Sequence, residues 1–562
     1  MADKTQELRE IREFQNEKIE VIFRKLKPAE ESEGRYPEFA PGVKVEDGIR
    51  YERDVAVAMR DGTIIYTDIY QPEGATGVPA IVAWSPYGKR AFYAVGQGEM
   101  PAGSIRGVPP DAVSLMTKFE GPDPAYWCRQ GYAVINPDAR GSGYSEGNIA
   151  VFGTKEGRDC HDLIEWVASR DWSNGRVGMA GNSYLAISQW FAAAEQPPHL
   201  AAIAPWEGYT DFYRDSLCRG GVPEIGFRGR ANAGGFGPGY KEDVMAMLHK
   251  YPFMNGYWED KIARLDKIKV PAYITAGWSH FHLRGSVEAF RVIPSPNKWL
   301  RVHRDFEWPD LYAPQNLEDL RRFFDRYLKG IRNGWEYTPR VRLDVMDAGD
   351  VDYQVNRAEQ EFPLARTQYE KLFLDADTGQ LSLKPLMQES SVSYDASKGR
   401  AAFSIRFDED TELTGYMKLH LWVEADGADD MDLFITVQKL NDKGNFLPTL
   451  VLGQPYPGAS GLLRVSQREL DEVRSTPFEP FLIHRREQLL KPKEIVPVEI
   501  GIWPSSKFWH AGQQLRVVVS GHYIRAPGWF EPFAWDLRNR GEHIIHTGGN
   551  YDSYLLVPKI PC

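Results

Sequence analysis

Apolar and polar positions alternate in three different ways along the chain. Near the N-terminus Leu8, Ile11, Ile19, Ile22 and Leu26 recur at steps that suit one face of a helix, with charged residues between them. The spacing predicts an amphipathic helix over 5–27, read first as a packing arm, with an oligomer contact as the alternative. The stretch 28–48 is rich in Pro, Gly and Glu and reads as a linker. From Ile49 the period shortens to two. Residues 51–59 and 63–70 alternate on either side of Asp61-Gly62, a hairpin turn signal.

Short apolar runs follow at 79–84, 131–136, 200–204, 270–276 and 299–302, as expected of strands buried on both faces. Helical patterns at 160–169, 185–194 and 317–328 separate them. Strands alternating with helices predict a parallel sheet wrapped by helices. Between 207 and 268 the strand signal stops. A glycine-rich loop at 234–239 and helical pieces at 242–250 and 258–268 read as a cap over the sheet edge. From about Tyr369 helices vanish. Segments 402–407, 416–424, 432–440, 514–520 and 553–558 read as strands of a β-sandwich. The predicted organisation is an N-terminal helix and linker (1–48), an α/β catalytic unit (49–206 and 269–350), a helical cap insert (207–268) and a C-terminal β-sandwich (351–562).

Composition narrows the class. An apolar content of 42% and 16 tryptophans, in 562 residues, support large packed cores. No run approaches the ~18 apolar residues of a membrane span. The polar N-terminus does not resemble a secretory signal, so a cytoplasmic protein is expected. Cys128, Cys160, Cys218 and Cys562 lie far apart without a C-x-x-C pair, which reads as reduced thiols rather than a zinc site or disulfide framework. A formal net charge of −11 argues against nucleic acid as a partner.

The candidate chemistry sits at 175–189, GRVGMAGNSYLAISQ. It reads as a buried strand, a tight turn and the opening of a helix. A serine at such a turn stands exposed above the strand end, and the next N–H points into the same space. Ser183 is the candidate nucleophile and the N–H of Tyr184 a candidate oxyanion donor. The pattern differs from G-x-S-x-G in having Leu185 at the last position.

The run 172–179 with Gly181-Asn182-Ser183-Tyr184-Leu185, the upstream 140–145 (RGSGYS) and Pro86-Tyr87 resemble the X-Pro dipeptidyl-peptidase-like, cocaine-esterase-like serine hydrolases. The resemblance covers nearly everything from residue 49 onward. It implies an α/β-hydrolase catalytic domain with an inserted helical cap and a C-terminal jelly-roll domain. It also implies acyl transfer to water through an acyl-enzyme without a cofactor. Ser183 matches the family nucleophile, and Tyr87 the tyrosine that completes the oxyanion hole. A phenol just past a strand end can donate to a developing alkoxide.

The base and acid depart from the family pattern. The family carries an aspartate shortly after a Gly-Trp pair; here Gly277-Trp278-Ser279 is followed by His280. The usual Gly-Pro-Trp-x-His is also missing. By position, His303 at the end of the last buried strand before the final helix is the candidate base. Glu207, one strand after the elbow, is the first choice of acid, ahead of Asp211, Asp305 and Glu307. His280, His282, Trp278 and Trp206 are expected to border the pocket. The His280-x-His282 pair has metal-ligand character, but the sequence offers no third ligand and no metal is expected. The function read from the sequence is a serine hydrolase of a small-molecule ester or amide. An X-Pro dipeptidyl aminopeptidase and a diverged non-hydrolytic member of the fold are the alternatives.

Overall fold

The computed structural model describes residues 7–32, 36–90, 105–525 and 533–561. The N-terminal segment is a β-hairpin, not the expected helix. Strands β1 (Glu7–Phe14) and β2 (Glu17–Lys25) pair antiparallel across Gln15-Asn16, both at left-handed φ (44° and 74°). Ile19, Val21 and Phe23 sit at alternate positions and are buried, and their β-branched and aromatic side chains suit a strand. A two-residue loop with positive φ matches the twist of such a hairpin. Residues Tyr240–Glu242 of the cap add a third strand to it. The expected linker is ordered as well. It contains a 3-10 turn at Ala29–Glu31, a buried Tyr36 whose hydroxyl donates to Asp138, and β3 (Gly42–Glu46).

The catalytic unit contains β4 (Ile49–Ala58), β5 (Ile64–Pro72), β6 (Val78–Val82), α1 (Pro124–Arg129), β7 (Ala133–Pro137), α2 (Thr154–Ala168), β8 (Ser173–Asn182), α3 (Tyr184–Ala194) and β9 (Leu200–Trp206). The insert that follows β9 holds α4 (Phe227–Ala233), β10 (Tyr240–Glu242), α5 (Val244–Lys250) and α6 (Gly256–Glu259). The chain returns with β11 (Ala272–Gly277), α7 (Leu283–Val292), β12 (Lys298–His303), α8 (Glu307–Tyr312), α9 (Pro314–Leu328), β13 (Val341–Met346) and β14 (Asp352–Glu359). The helical piece expected at 258–268 shrinks to one turn. Asn255 caps α6 early by accepting from the N–H groups of Tyr257 and Trp258, and only a 3-10 turn at Leu265–Lys267 follows.

The strand order is β3-β4-β5-β7-β6-β8-β9-β11-β12-β13-β14, parallel from β7 to β13. Its central strands are apolar on both faces, and helices cover both sides, as a parallel sheet requires. β14 returns antiparallel on β13, so this sheet runs past residue 351, where the sandwich was expected to begin. Beyond it the chain is β-rich, with long antiparallel strands such as Thr411–Asp426, Asp432–Leu440, Val496–Trp509 and Gln514–Ser520. These strands enclose a second core that includes Leu419, Leu421, Val517 and Leu555. Cys128, Cys160 and Cys218 are buried free thiols; Cys562 lies outside the described residues. Among the described residues no helix is long and apolar enough to cross a membrane.

Candidate active site

Ser183 occupies the single residue between β8 and α3, at φ 53° and ψ −117°. A non-glycine residue there is strained, and only the surrounding structure holds it. Two backbone bonds do so: the Ser183 N–H donates to the Glu207 carbonyl at 3.1 Å, and the Asn182 N–H to the Glu120 carbonyl at 3.1 Å. The structure also explains Leu185 at the place of a second glycine. Gly181 has φ +133°, and a Cβ there would lie 2.6 Å from the Leu185 Cβ and 2.8 Å from the Glu120 carbonyl oxygen. Leu185 therefore fills the space that Gly181 leaves open.

The histidine at the nucleophile is His282, not His303. His282 Nε2 lies 3.1 Å from Ser183 Oγ. His282 is the residue just before α7; its ring stacks on Tyr209, at 5.2 Å and 19°, and lies tilted to His280, at 4.8 Å and 32°. Its Nδ1 is buried and has no hydrogen-bond partner among the described residues. His303 ends β12 as expected, but its Nδ1 faces the Asp305 carbonyl at 3.0 Å and its Nε2 faces Glu207 and Asp310. Both its nitrogens are thus turned to acceptors away from Ser183. The reason is the length of the β11–α7 connection, which carries His282 across the strand end to the elbow.

Glu207 is fully buried at the end of β9, at a left-handed φ of 63°. Its carboxylate does not contact His282. Instead Oε2 lies 3.1 Å from His280 Nδ1 and Oε1 3.1 Å from His303 Nε2, as ion-pair contacts rather than aligned hydrogen bonds. His280 Nε2 in turn lies 3.4 Å from Glu307 Oε1. Against the cost of burial, His280 and His303 hold the Glu207 carboxyl below the ordinary carboxylate range. Burial likewise opposes the charge on His280, but Glu307 and Glu207 raise its pKa well above the usual value. His303 is raised against burial by Asp310 and Glu207. His282 is pushed the other way, well below 6.5, by burial first and then by the neighbouring His280. It stays neutral, with a lone pair free to take a proton.

Tyr87 lies beyond β6, with its ring 5.5 Å from Phe119 and 5.7 Å from Tyr184. Burial first, then Glu120, raises its pKa well above 10.0, while a hydrogen bond to the Ser183 side chain works against them. Its hydroxyl is therefore a protonated donor beside the nucleophile. The N–H of Tyr184 opens α3, where the first N–H groups have no intrahelical acceptor. The Tyr184 hydroxyl donates to Glu156 at 2.8 Å, which fixes the ring away from the nucleophile.

A cavity of about 480 Å³ opens onto this group and is lined by Tyr87, Ser183, Tyr184, His280 and His282. Trp206 and Trp278 were expected at the pocket but do not line this cavity. Trp206 packs on Tyr273 and under Arg301, and the Trp278 indole donates to the Asp344 carbonyl at 2.8 Å. Of the weaker acid candidates, Glu307 reaches the cavity, Asp211 caps the turn at Phe212–Leu217, and the Asp305 carbonyl faces His303. No local sequence pattern marks Glu120, Tyr209 and Arg228, which also line the cavity. They come from separate segments that only the fold brings together.

His280, His282 and Glu307 place donor atoms within 4.8 Å of one another, a set with the ligand types of zinc sites. The third ligand that the spacing lacked is thus present, although His280 and His282 are already engaged by carboxylates and by Ser183.

Residues 61–233 match the model of the X-Pro dipeptidyl-peptidase (S15 family), and residues 333–556 that of the X-Pro dipeptidyl-peptidase C-terminal non-catalytic domain. The sequence is 26% identical over 383 residues to a cocaine esterase from Rhodococcus sp. (strain MB1 Bresler). That match covers 57% of this chain and 62% of the esterase, so it spans less than two thirds of that relative's length. The structure is similar to a CocE/NonD family hydrolase from Staphylococcus aureus (TM-score 0.86, 34% identity), covering 95% of this chain and 99% of that one. An α-amino acid ester hydrolase (TM-score 0.67, 17% identity, 92% and 98% covered) shares the fold.

Proposed function

Because the chain belongs to the X-Pro dipeptidyl-peptidase-like, CocE/NonD family of hydrolases, we propose that it is a serine hydrolase cleaving an ester or amide through an acyl-enzyme on Ser183. The observation that carries this reading is the 3.1 Å approach of a neutral His282 to a serine at a strained strand-to-helix turn. His282 Nε2 takes the Ser183 proton as Oγ attacks the substrate carbonyl carbon. The Tyr87 hydroxyl and the Tyr184 N–H hold the resulting oxyanion. The carbonyl re-forms, the leaving group takes the proton from His282, and the acyl group stays on Oγ. Water then gives a proton to His282, attacks the acyl carbon and releases the acid, and the proton returns to Ser183.

Glu207 acts at one remove. It pairs with His280 and His303, and its negative charge lies one ring beyond the imidazolium formed on His282. It is a positioning residue for the His280–His282 stack rather than a third member hydrogen-bonded to the base. The run of long antiparallel strands beyond β14 supports reading the C-terminal unit as the family's jelly-roll domain.

The test is covalent. A fluorophosphonate probe should label the wild-type protein, and aryl esters should be hydrolysed; Ser183→Ala should lose both, with at least ~10⁴-fold lower turnover. Labelling that persists in Ser183→Ala would place the nucleophile elsewhere. No labelling and no turnover in the wild type would favour a diverged binding module.

A further inference from the structure

His280 is held in the way that a metal-ligating histidine is held. Its Nδ1 faces Glu207 Oε2 at 3.1 Å, and its Nε2 faces Glu307 Oε1 at 3.4 Å. A histidine that binds a metal through one ring nitrogen gives its other N–H to a carboxylate or carbonyl, which fixes the ring and its tautomer. Glu207 already supplies that carboxylate, and His303 Nε2 steadies it from the far side at 3.1 Å. The remaining nitrogen of His280 is turned to Glu307, the first residue of α8, and His282 completes the group from the β11–α7 loop. Donor atoms of the three residues all lie within 4.8 Å of one another.

The contacts inside this cluster do not use it up. All three residues are at most 3% exposed, so bulk water does not serve them. Yet both nitrogens of His280, Nδ1 of His282 and Oε2 of Glu307 have no hydrogen-bond partner among the described residues. Buried polar atoms rarely stay in that state, and a bound ion is one way to satisfy them. All three residues line the cavity of about 480 Å³, so an ion in the cavity meets them together. Two imidazoles and a carboxylate suit Zn²⁺ and Co²⁺, whereas Mg²⁺ and Ca²⁺ favour oxygen ligands throughout. Ligand atoms on a tetrahedral zinc lie about 3.3 Å apart, so the widest pair here would close by about 1.5 Å through side-chain torsions.

The chemistry of His282 decides what such a metal does. A neutral imidazole has a single nitrogen lone pair. Ser183 loses its proton to that lone pair, and a metal would take the same one. Coordination by Nε2 blocks Ser183 directly. Coordination by Nδ1 leaves the ring proton on Nε2, which then faces Ser183 as a donor. Either way the base is consumed. The proton that His280 carries between its two carboxylates leaves to solvent, and the metal replaces its charge. We propose that His280, His282 and Glu307 form an inhibitory transition-metal site, at which Zn²⁺ reversibly stops hydrolysis by occupying the lone pair of the base. Inhibition rests on the serine-hydrolase reading; metal binding does not.

Two measurements separate binding from inhibition. In the first, chelator-stripped Ser183→Ala protein is titrated with zinc chloride by calorimetry. Ser183→Ala/Glu307→Gln and Ser183→Ala/His280→Gln are titrated beside it, each checked for an intact thermal transition. One zinc per chain is expected in the parent, with affinity at least ~10-fold lower in both double variants. No binding, or unchanged affinity in either variant that folds, overturns the inference. In the second, turnover of a neutral aryl ester by stripped wild type is followed as Zn²⁺ or Mg²⁺ is added. The metal-free enzyme should be active, lose at least ~10²-fold of its turnover at saturating Zn²⁺, recover with EDTA and ignore Mg²⁺. Glu307→Gln should need at least ~10-fold more zinc for the same fractional loss. A stripped enzyme that is inactive until zinc is added, zinc that binds without slowing turnover, or equal inhibition by Mg²⁺ overturns the inference. If zinc binds through His280 and Glu307 but no ester is hydrolysed with or without it, the metal site stands and the hydrolase reading falls.

Discussion

His282 presents Nε2 to Ser183 Oγ at 3.1 Å, yet among the described residues no carboxylate touches its other nitrogen. In place of a triad acid at Nδ1, the ring has aromatic neighbours: Tyr209 stacked at 5.2 Å and His280 tilted at 4.8 Å. Glu207 reaches the base only through His280. This arrangement keeps His282 neutral and makes its protonation depend on the charge of its neighbour.

That dependence is visible in a pH profile. Burial first and His280 second hold the His282 pKa well below 6.5. With a neutral aryl ester, kcat/KM should stay level as pH falls through about 6.5 and drop only at lower pH. Replacing His280 with Gln removes the repelling charge, so the acid limb should move up. A wild-type limb at or above pH 6.5 contradicts the assignment.

Tyr87→Phe removes one hydroxyl and keeps the ring that packs on Phe119 and Tyr184. The expected result is a fall in kcat of roughly 10²–10³, the scale of one lost oxyanion donor, with Tm little changed. A rise in KM at unchanged kcat would make Tyr87 a binding residue.

The buried ion pairs give a stability signature. The pKa of His303 is raised, so its protonated form contributes stability that is fully present below the unfolded value of 6.5 and lost as pH rises through the folded value. Glu207 is depressed, so its share is present above 4.5 and lost as pH falls through its folded value. The Tm penalty of His303→Gln should therefore be larger at about pH 5.5 than at about pH 9. Equal penalties at both would show that His303 is not charged in the folded protein.

At the elbow, Gly181→Ala should destabilise by about 1–3 kcal/mol, since the added Cβ meets Leu185 and the Glu120 carbonyl at a strained φ. Adding Leu185→Gly relieves the side-chain clash and not the backbone one. Partial recovery of Tm in the double variant is the expected outcome; full additivity of the two losses argues that Leu185 does not fill the Gly181 space.

The strand-turn-helix form of the elbow is legible in the sequence because all three are local there; Tyr87 is singled out through the family resemblance, and Glu207, expected as the acid of the base, contacts His280 and His303 instead of His282. The helix expected at 5–27 shows where local pattern misleads. Ile11, Ile19, Ile22 and Leu26 suit a helical face, but Ile19, Val21 and Phe23 also alternate, and β10 from the cap supplies the pairing edge that decides for strand. The histidine was misplaced for a related reason. His282 and His303 both follow strand ends, and the choice between them depends on how far the β11–α7 loop reaches over the sheet. Spacing along the chain does not encode that reach. The His280–Glu207–His303 contacts likewise join three loops that are adjacent only in the folded sheet.

Whether His282 or His303 activates Ser183 is read out by the rate of Ser183 phosphonylation. The probe reports loss of the serine proton and attack at phosphorus without needing the right substrate. The second-order labelling rate should be measured for wild type, His282→Gln and His303→Gln, each checked for an intact thermal transition. A fall of at least ~10³-fold is expected for His282→Gln and of less than ~10-fold for His303→Gln. A crippled His303→Gln alongside a near-normal His282→Gln would contradict His282 as the base.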